Sequence, residues 1–478
     1  MKIRSKRMWA VVVIVGLVIL VLAARLIREA FLDAELARLL EQANLLSIEE
    51  LKARRVEDAE NAAAVYRRAW ETMERGQPRP DWPWDKVPED SKNEMKARNV
   101  LLNALERGDY GSTEEKLVPL KDYLQRNQNV IELLLEAARM EKCDFGLEYE
   151  KGPAMELPHL SKMRESARLL WIAAVAAALE GEMGRAAEYC WAVARTGNHL
   201  EEESLVISQL VRAAICSIAA DSLHTIVHFG EVSPEWRAKV DVELVRYQGV
   251  ESSASLKTEA AISFYSVKSL AEGEGDAATW LLEMQGGSSG EGGLYGLYER
   301  GWPWLMYESW LVGRPFVKWN MVRYLKSMNE LEAAFDQPYW EAKPALDKWE
   351  DNVTGLSRWY VIPKLLLPAL ARYREQVAHT QARAGATRLG LALEAYKRDH
   401  GAYPIYLDVP APDYIGEMPE DPFTGEPYVY RREGGGFVVY SVGSNGRDDD
   451  GRRSSDRSQD YDDICWRSEE EGSDSASR

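Results

Sequence analysis

The sequence predicts a mainly α protein in three parts: an N-terminal transmembrane helix, an irregular helical bundle or α-solenoid, and a small C-terminal α+β domain. Three observations carry this expectation. An uncharged apolar run occupies Met8–Ala24. From Arg28 to about Leu282, alanine, leucine, glutamate and arginine dominate, and apolar residues recur at spacings of three and four, the period of an amphipathic helix. Near the end, a helical pattern reaching His400 gives way to Gly401, proline-rich turns and short alternating strands.

Residues 1–7 form a basic head through Lys2, Arg4, Lys6 and Arg7. Residues 8–27 are the expected span, at the short end of what crosses a bilayer, with Leu26 and Ile27 extending it if Arg25 snorkels. The positive-inside rule keeps the head cytoplasmic and puts the bulk of the chain on the periplasmic or other extracytoplasmic side. A cleaved signal peptide is the rival reading, because Val21-Leu22-Ala23 offers small residues near a cleavage point. Retention is favoured by Phe31, Leu32, Leu36, Leu39, Leu40 and Ala43, which continue the helical spacing and suggest one long helix leaving the membrane.

A helical domain is expected over 28–284. Ser47 and Glu50 read as a capping box, and Asn61 to Trp70 continues in helical style. Pro78, Pro80, Pro83 and Pro88, with Trp82 and Trp84 among them, exclude regular helix and predict a surface loop. Further helices are expected at Val118–Met140, Ser161–Leu179, Arg185–Arg195 and Leu205–Val227. The pair around Gly181 resembles a single tetratricopeptide-type hairpin, with no second copy at the roughly 34-residue period that an array needs. His224 and His228 share a helix face, but Thr225 stands where a zinc protease needs Glu, so ordinary helix-face histidines are expected.

Residues 285–301 read as a Gly/Ser-rich linker. Gly286 to Gly290 matches G-x-S-x-G formally, but no strand–helix alternation surrounds it to make a nucleophile turn. Residues 302–375 carry Trp302, Trp304, Trp310, Trp319, Trp340, Trp349 and Trp359, which either fill a helical core or form a docking surface, core being the default. A long helix is expected over Leu366–Tyr396, and residues 467–478 read as a disordered tail.

The charge of −18, from 59 basic and 77 acidic residues, argues against nucleic acid as a partner. Cys143, Cys190, Cys216 and Cys465 are far apart with no Cys-x-x-Cys pair, which disfavours a zinc knuckle and leaves any disulfide pairing open. Cys190 and Cys216 sit in apolar helical text, where a small buried thiol is expected.

The segment 376–466 carries the most specific signal. Ala392, Leu393, Tyr396, Gly401, Tyr403 and Pro404 end a helix: Gly401 can take the left-handed conformation and Pro404 prevents a restart. Pro419, Asp421, Pro422, Phe423 and Gly425 follow. Strands are expected at Tyr428–Tyr430 and Phe437–Tyr440, around a turn at Gly434–Gly436. Tyr440-Ser441-Val442-Gly443-Ser444-Asn445-Gly446 and then Asp462-Asp463-Ile464 with Trp466 complete the pattern. In this order the motifs resemble the C-terminal globular domain of the major pseudopilin of type II secretion systems. The remainder resembles membrane-anchored helical bacterial proteins.

That resemblance implies a calcium-binding loop, with a backbone oxygen from Val442, a side-chain oxygen from Asn445, carboxylates from Asp462 and Asp463, and Asp449 or Asp450 in addition. The residue chemistry suits calcium independently, because Ca²⁺ takes six to eight oxygens in flexible geometry and Asp448, Asp449, Asp450, Asp460, Asp462 and Asp463 crowd one stretch. A solvated acidic loop neutralised by Arg447, Arg452 and Arg453 is the alternative. The family's Gly-Phe-Thr-Leu-x-Glu processing site is not matched at this N-terminus, so filament packing is not expected. The resulting expectation is a non-catalytic single-pass bacterial envelope protein, anchored in the membrane, with a helical region for an unidentified protein partner and a calcium-stabilised terminal domain. An accessory part of a secretion or pilus-like system is the second reading, and an enzyme with its site in the helical region the third.

Overall fold

The computed structural model describes residues 2–43, 49–50, 56–57, 60–74, 88–249, 252–272, 313–357, 359–452 and 462–468. The capping Ser47, nearly all of the proline–tryptophan loop, the Gly/Ser-rich linker, Trp302, Trp304, Trp310, Arg453 and Asp460 lie outside the described residues. Within them the protein is mainly helical, with one small antiparallel sheet near the C-terminus.

Helix α1 (Lys2–Ala43) runs unbroken for 42 residues. Val13, Ile14, Leu17, Leu20, Val21, Leu26, Ile27 and Phe31 are all exposed on it. Arg25 does not snorkel; it is buried and ion-paired to Glu29 at 3.1 Å. The end of the helix then docks: Leu32 and Leu39 are buried, and Lys318 meets Asp33 at 2.6 Å while Lys326 meets Glu35 at 2.9 Å.

Helix α2 (Ala62–Glu74) begins at Asn61, whose Oδ1 accepts from Ala63 N and Asp144 N while Nδ2 donates to Asp144 O. Helix α3 (Glu89–Glu106) follows. The continuous helix expected at 118–140 is instead broken into α4 (Thr113–Leu117), a 3₁₀ turn, α5 (Lys121–Arg126) and α6 (Gln128–Arg139). Pro119 sits in the 3₁₀ turn, and Asn127 folds back to donate to Tyr123 O at 2.8 Å, which ends α5. The expected hairpin is present as α7 (Pro158–Leu179) and α8 (Met183–Asn198), turning on Gly181 at φ 80°. Helix α9 (Val206–Phe229), α10 (Pro234–Gln248), which packs on α8, and α11 (Ser252–Glu272) follow. Among the described residues, α9 has the length and hydropathy of a membrane span, but 67% of that stretch is buried inside the protein, as in a core helix. Cys190 and Cys216 are buried in these helices, and Cys143, also buried, is like them a free thiol.

After α12 (Gly313–Phe335), α13 (Tyr339–Thr354) and α14 (Val361–Leu366) comes α15 (Pro368–His400), 33 residues long. Gly401 ends it in the left-handed conformation at φ 76°. The described tryptophans of this region split: Trp349 is buried and donates to Ser327 O, Trp319 is half-buried and stacks on Tyr360, and Trp340 and Trp359 are exposed. The sheet order is β1 (Val429–Glu433), β2 (Gly436–Ser441), β3 (Ile464–Arg467), all antiparallel, with β2 central and buried along its whole length. Arg467, assigned by sequence to the tail, closes β3.

Two apolar cores result. The first gathers α2, α3 and α6 through α10 with the sheet residues Phe437, Val439 and Trp466. The second gathers the end of α1 with α11 through α14. Helix α15 belongs to both, giving Leu370, Tyr373 and Val377 to the second core and Leu389, Leu391 and Leu393 to the first. The sheet therefore does not stand apart from the helical body.

Candidate functional site

The end of β2 is held by Asp421. Its Oδ1 accepts from Phe423 N at 2.9 Å and Ser441 Oγ at 2.8 Å, and its Oδ2 accepts from Val442 N at 3.2 Å. Burial pushes the Asp421 carboxyl up, and these donors oppose that rise. One buried side chain thus joins the two sequence motifs, the Pro-x-Asp-Pro-Phe turn and the Tyr-Ser-Val-Gly run. From the sequence alone Asp421 is a motif position without an assigned role. Its signal was available, since an aspartate between two prolines suits a turn whose carboxylate caps nearby N–H groups.

The chain leaves β2 through Gly443 at φ 65°. A Cβ there would lie 2.4 Å from Asp462 O, so a glycine lets the two segments touch. Asp462 Oδ2 accepts from Ser444 Oγ at 2.9 Å and Asn445 N at 3.0 Å. Asp463 Oδ2 accepts from Asp449 N at 3.1 Å and Gly451 N at 2.8 Å. Asp463 is 2% exposed, and its carboxyl is raised to about 6 by burial, with the charges of Asp449 and Asp448 adding and the backbone donors opposing.

Carboxylate oxygens of Asp449, Asp462 and Asp463 come within 4.8 Å of one another. Oδ1 of Asp462 and Oδ1 of Asp463 are buried without a hydrogen-bond partner. No protein-family model, curated protein or solved structure matches this chain. The site is therefore argued from its own atoms.

Two oxygens on opposite sides of a Ca²⁺ ion, each about 2.4 Å away, are about 4.8 Å apart, so the three carboxylates are close enough to one another to share one hard cation. All three are oxygen donors, which disfavours soft-metal chemistry. The two orphaned buried oxygens also fit, since an unpaired buried carboxylate oxygen is costly and a cation would satisfy it.

Asp450, expected at the site, does not join the cluster. Asp450 takes φ 62° and its carboxylate is held by Arg431 at 2.6 Å, which turns it out of the cluster. Asp448 instead accepts from Tyr440 OH at 2.6 Å, and that bond lowers its carboxyl. Asn445 lies beside the cluster, donating through Nδ2 to Asp449 Oδ2 at 2.9 Å and accepting from Arg447 N through Oδ1. Val442 is buried next to Asp421. Ser444 was missed at the sequence level; its hydroxyl orients Asp462.

His224 and His228 do not form a metal pair. His224 Nε2 meets Arg467 O at 2.8 Å and Nδ1 meets Tyr110 OH at 2.6 Å. A carbonyl can only accept, so Nε2 carries the proton and Nδ1 accepts from the phenol. The imidazole is a structural tie between α9 and β3, with Trp466 edge-on at 4.7 Å.

Proposed function

We propose that this chain is a non-catalytic, single-pass bacterial envelope protein whose folded body carries a calcium-stabilised, pseudopilin-like C-terminal region and serves as a protein-interaction scaffold. The observation that supports the reading is α1: Val13, Ile14, Val15, Leu17, Ile19, Leu20 and Val21 are exposed and point to every side of the helix, and the same unbroken helix then buries Arg25, Leu32 and Leu39 against the body. A helix hydrophobic on every side is suited to lipid, whereas a surface helix of a soluble body keeps one polar face. The docked end makes the anchor continuous with the fold, which favours a retained segment over a cleaved one. Calcium is supported by the convergence of Asp449, Asp462 and Asp463 and by their two orphaned oxygens. Bound there, it would offset carboxylate repulsion and fix the loop to β3, a structural role.

The test is fractionation of cells expressing the full chain. The protein is expected in the membrane pellet after alkaline carbonate washing, starting before Ala24 by N-terminal sequencing, with its body open to protease in intact spheroplasts. Recovery in the soluble fraction, a start near Ala24, or a body protected in spheroplasts would refute the topology.

A further inference from the structure

A second site lies away from the acidic loop. The end of α8, the turn after it and the 141–149 segment meet α10 around a cavity of about 310 Å³. That volume falls at the lower end of the range for small-molecule pockets. Its wall is acidic: Glu141, Asp144, Glu202 and Glu203 line it against Lys142 and Arg246. Both cations are already committed to carboxylates outside the lining. Lys142 is paired with Glu60 at 3.0 Å, and Arg246 with Glu201 and Glu243.

Glu203 is the decisive group. It is 6% exposed, and its Oε2 accepts from Ser208 Oγ at 2.7 Å and meets His159 Nε2 at 3.1 Å. Its Oε1 is buried with no hydrogen-bond partner. A buried carboxylate oxygen left unpaired costs free energy; Oε1 is covered in this conformation, and a donor in the cavity would recover that cost as the Glu203 side chain turns toward it. Glu141 and Glu202, at the exposed part of the wall, hold negative charge over the entrance. Leu147, Tyr149 and Val56 supply apolar surface between them.

Other chemistry fits less well. Among the described residues, the cavity's donors do not converge closely enough to share a metal ion. Cys143 lines the cavity, but burial pushes its thiol well up, with the Glu203 charge adding, so it is a poor nucleophile. His199 is tied on both sides, to Tyr66 OH at 2.9 Å and Met140 O at 3.0 Å. The arrangement recognises rather than reacts.

We infer that this cavity binds a small organic cation, an ammonium on a short apolar body, with the cationic head at Glu203 and the body on Leu147, Tyr149 and Val56. This site is independent of the calcium loop and of the membrane anchor.

The experiment uses the full-length protein in detergent and three four-carbon probes: n-butylamine, 1-butanol and butyrate. Saturation-transfer NMR is expected to give saturable binding of n-butylamine in the millimolar range, and neither of the others. Glu203→Gln is expected to weaken n-butylamine by about tenfold, the worth of one charge-assisted hydrogen bond. Should Glu203→Gln fail to fold, Glu202→Gln together with Glu141→Gln, both on the exposed wall, is expected to weaken it by a few-fold in a salt-dependent way. Absence of n-butylamine binding, equal binding of 1-butanol or butyrate, or affinity unchanged in the variants that fold would overturn the assignment.

Discussion

At the level of single residues, the acidic loop separates groups that share a sequence stretch but not a role. Asp462 and Asp463 each spend one oxygen on loop donors and keep the other buried and unpaired, whereas Asp450 is spent on Arg431. Calcium is therefore expected to raise the melting temperature of the full-length protein in detergent, by the equivalent of about 2.7 kcal/mol at a hundredfold excess over Kd. Asp462→Asn with Asp463→Asn should abolish the rise, and Asp450→Asn should leave it intact. Differential scanning calorimetry with calcium and with chelator decides it; no rise, or a rise lost only in Asp450→Asn, would contradict the ligand set. The crowding of aspartates was legible in the sequence, and so was the role of Gly401 as a left-handed helix end. Which aspartate faced inward was not, because that depends on Asp450 adopting a positive φ and on Arg431 one strand away.

Between elements, the contact of α15 with the sheet sets the geometry. A Cβ on Gly390 would stand 2.3 Å from the Trp466 ring, so the bare helix backbone at Gly390 is the seat of that indole. Gly385 similarly leaves room for Tyr428, whose hydroxyl donates to Ala382 O at 3.0 Å. Trp466→Ala is expected to cost about 3–5 kcal/mol as a buried aromatic truncation. Gly390→Ala should also destabilise, and the double variant should cost clearly less than the sum, since the clash disappears with the ring. Urea denaturation measures this, and additive losses would refute the seating. The helices and the strand pair were readable from periodicity and turn residues. The seats were not, because a glycine inside helical text reads only as a weak helix former. The break at Asn127 was hidden for a related reason: apolar spacing carries across it, while a side-chain bond to Tyr123 O ends the helix locally.

For the molecule as a whole, buried polar groups between helices make stability depend on pH. Burial lowers His199 to about 3, from an ordinary value of 6.5. Tyr66 faces it from α2, Arg195 from its own helix, and Arg246 from α10. Between these pH values the unfolded chain binds a proton that the folded state refuses, so stability falls as pH drops below 6.5 and is retained above it. The contribution approaches at most about 1.4 kcal/mol per pH unit. In His199→Gln the slope of unfolding free energy between pH 6.5 and 4.5 is expected to flatten; an unchanged slope would show that other groups carry it. Neither this network nor the Glu203 cavity could be read beforehand, because their members come from segments scattered from Val56 to Arg246 and only packing brings them together.

Helix α15 has a consequence for how the chain is made. The first core draws on residues from Ala62 to Ile262 and then on Ala384 to Trp466, with much of the second core lying between them in sequence. Synthesis therefore supplies most of one core long before the strands that close it. Until Trp466 emerges, the nascent chain holds an apolar face with no cover. Late, long-range closure of this kind is slow and exposed to aggregation. Held in a membrane as proposed, α1 would tether the growing chain and keep such half-built molecules apart during biogenesis.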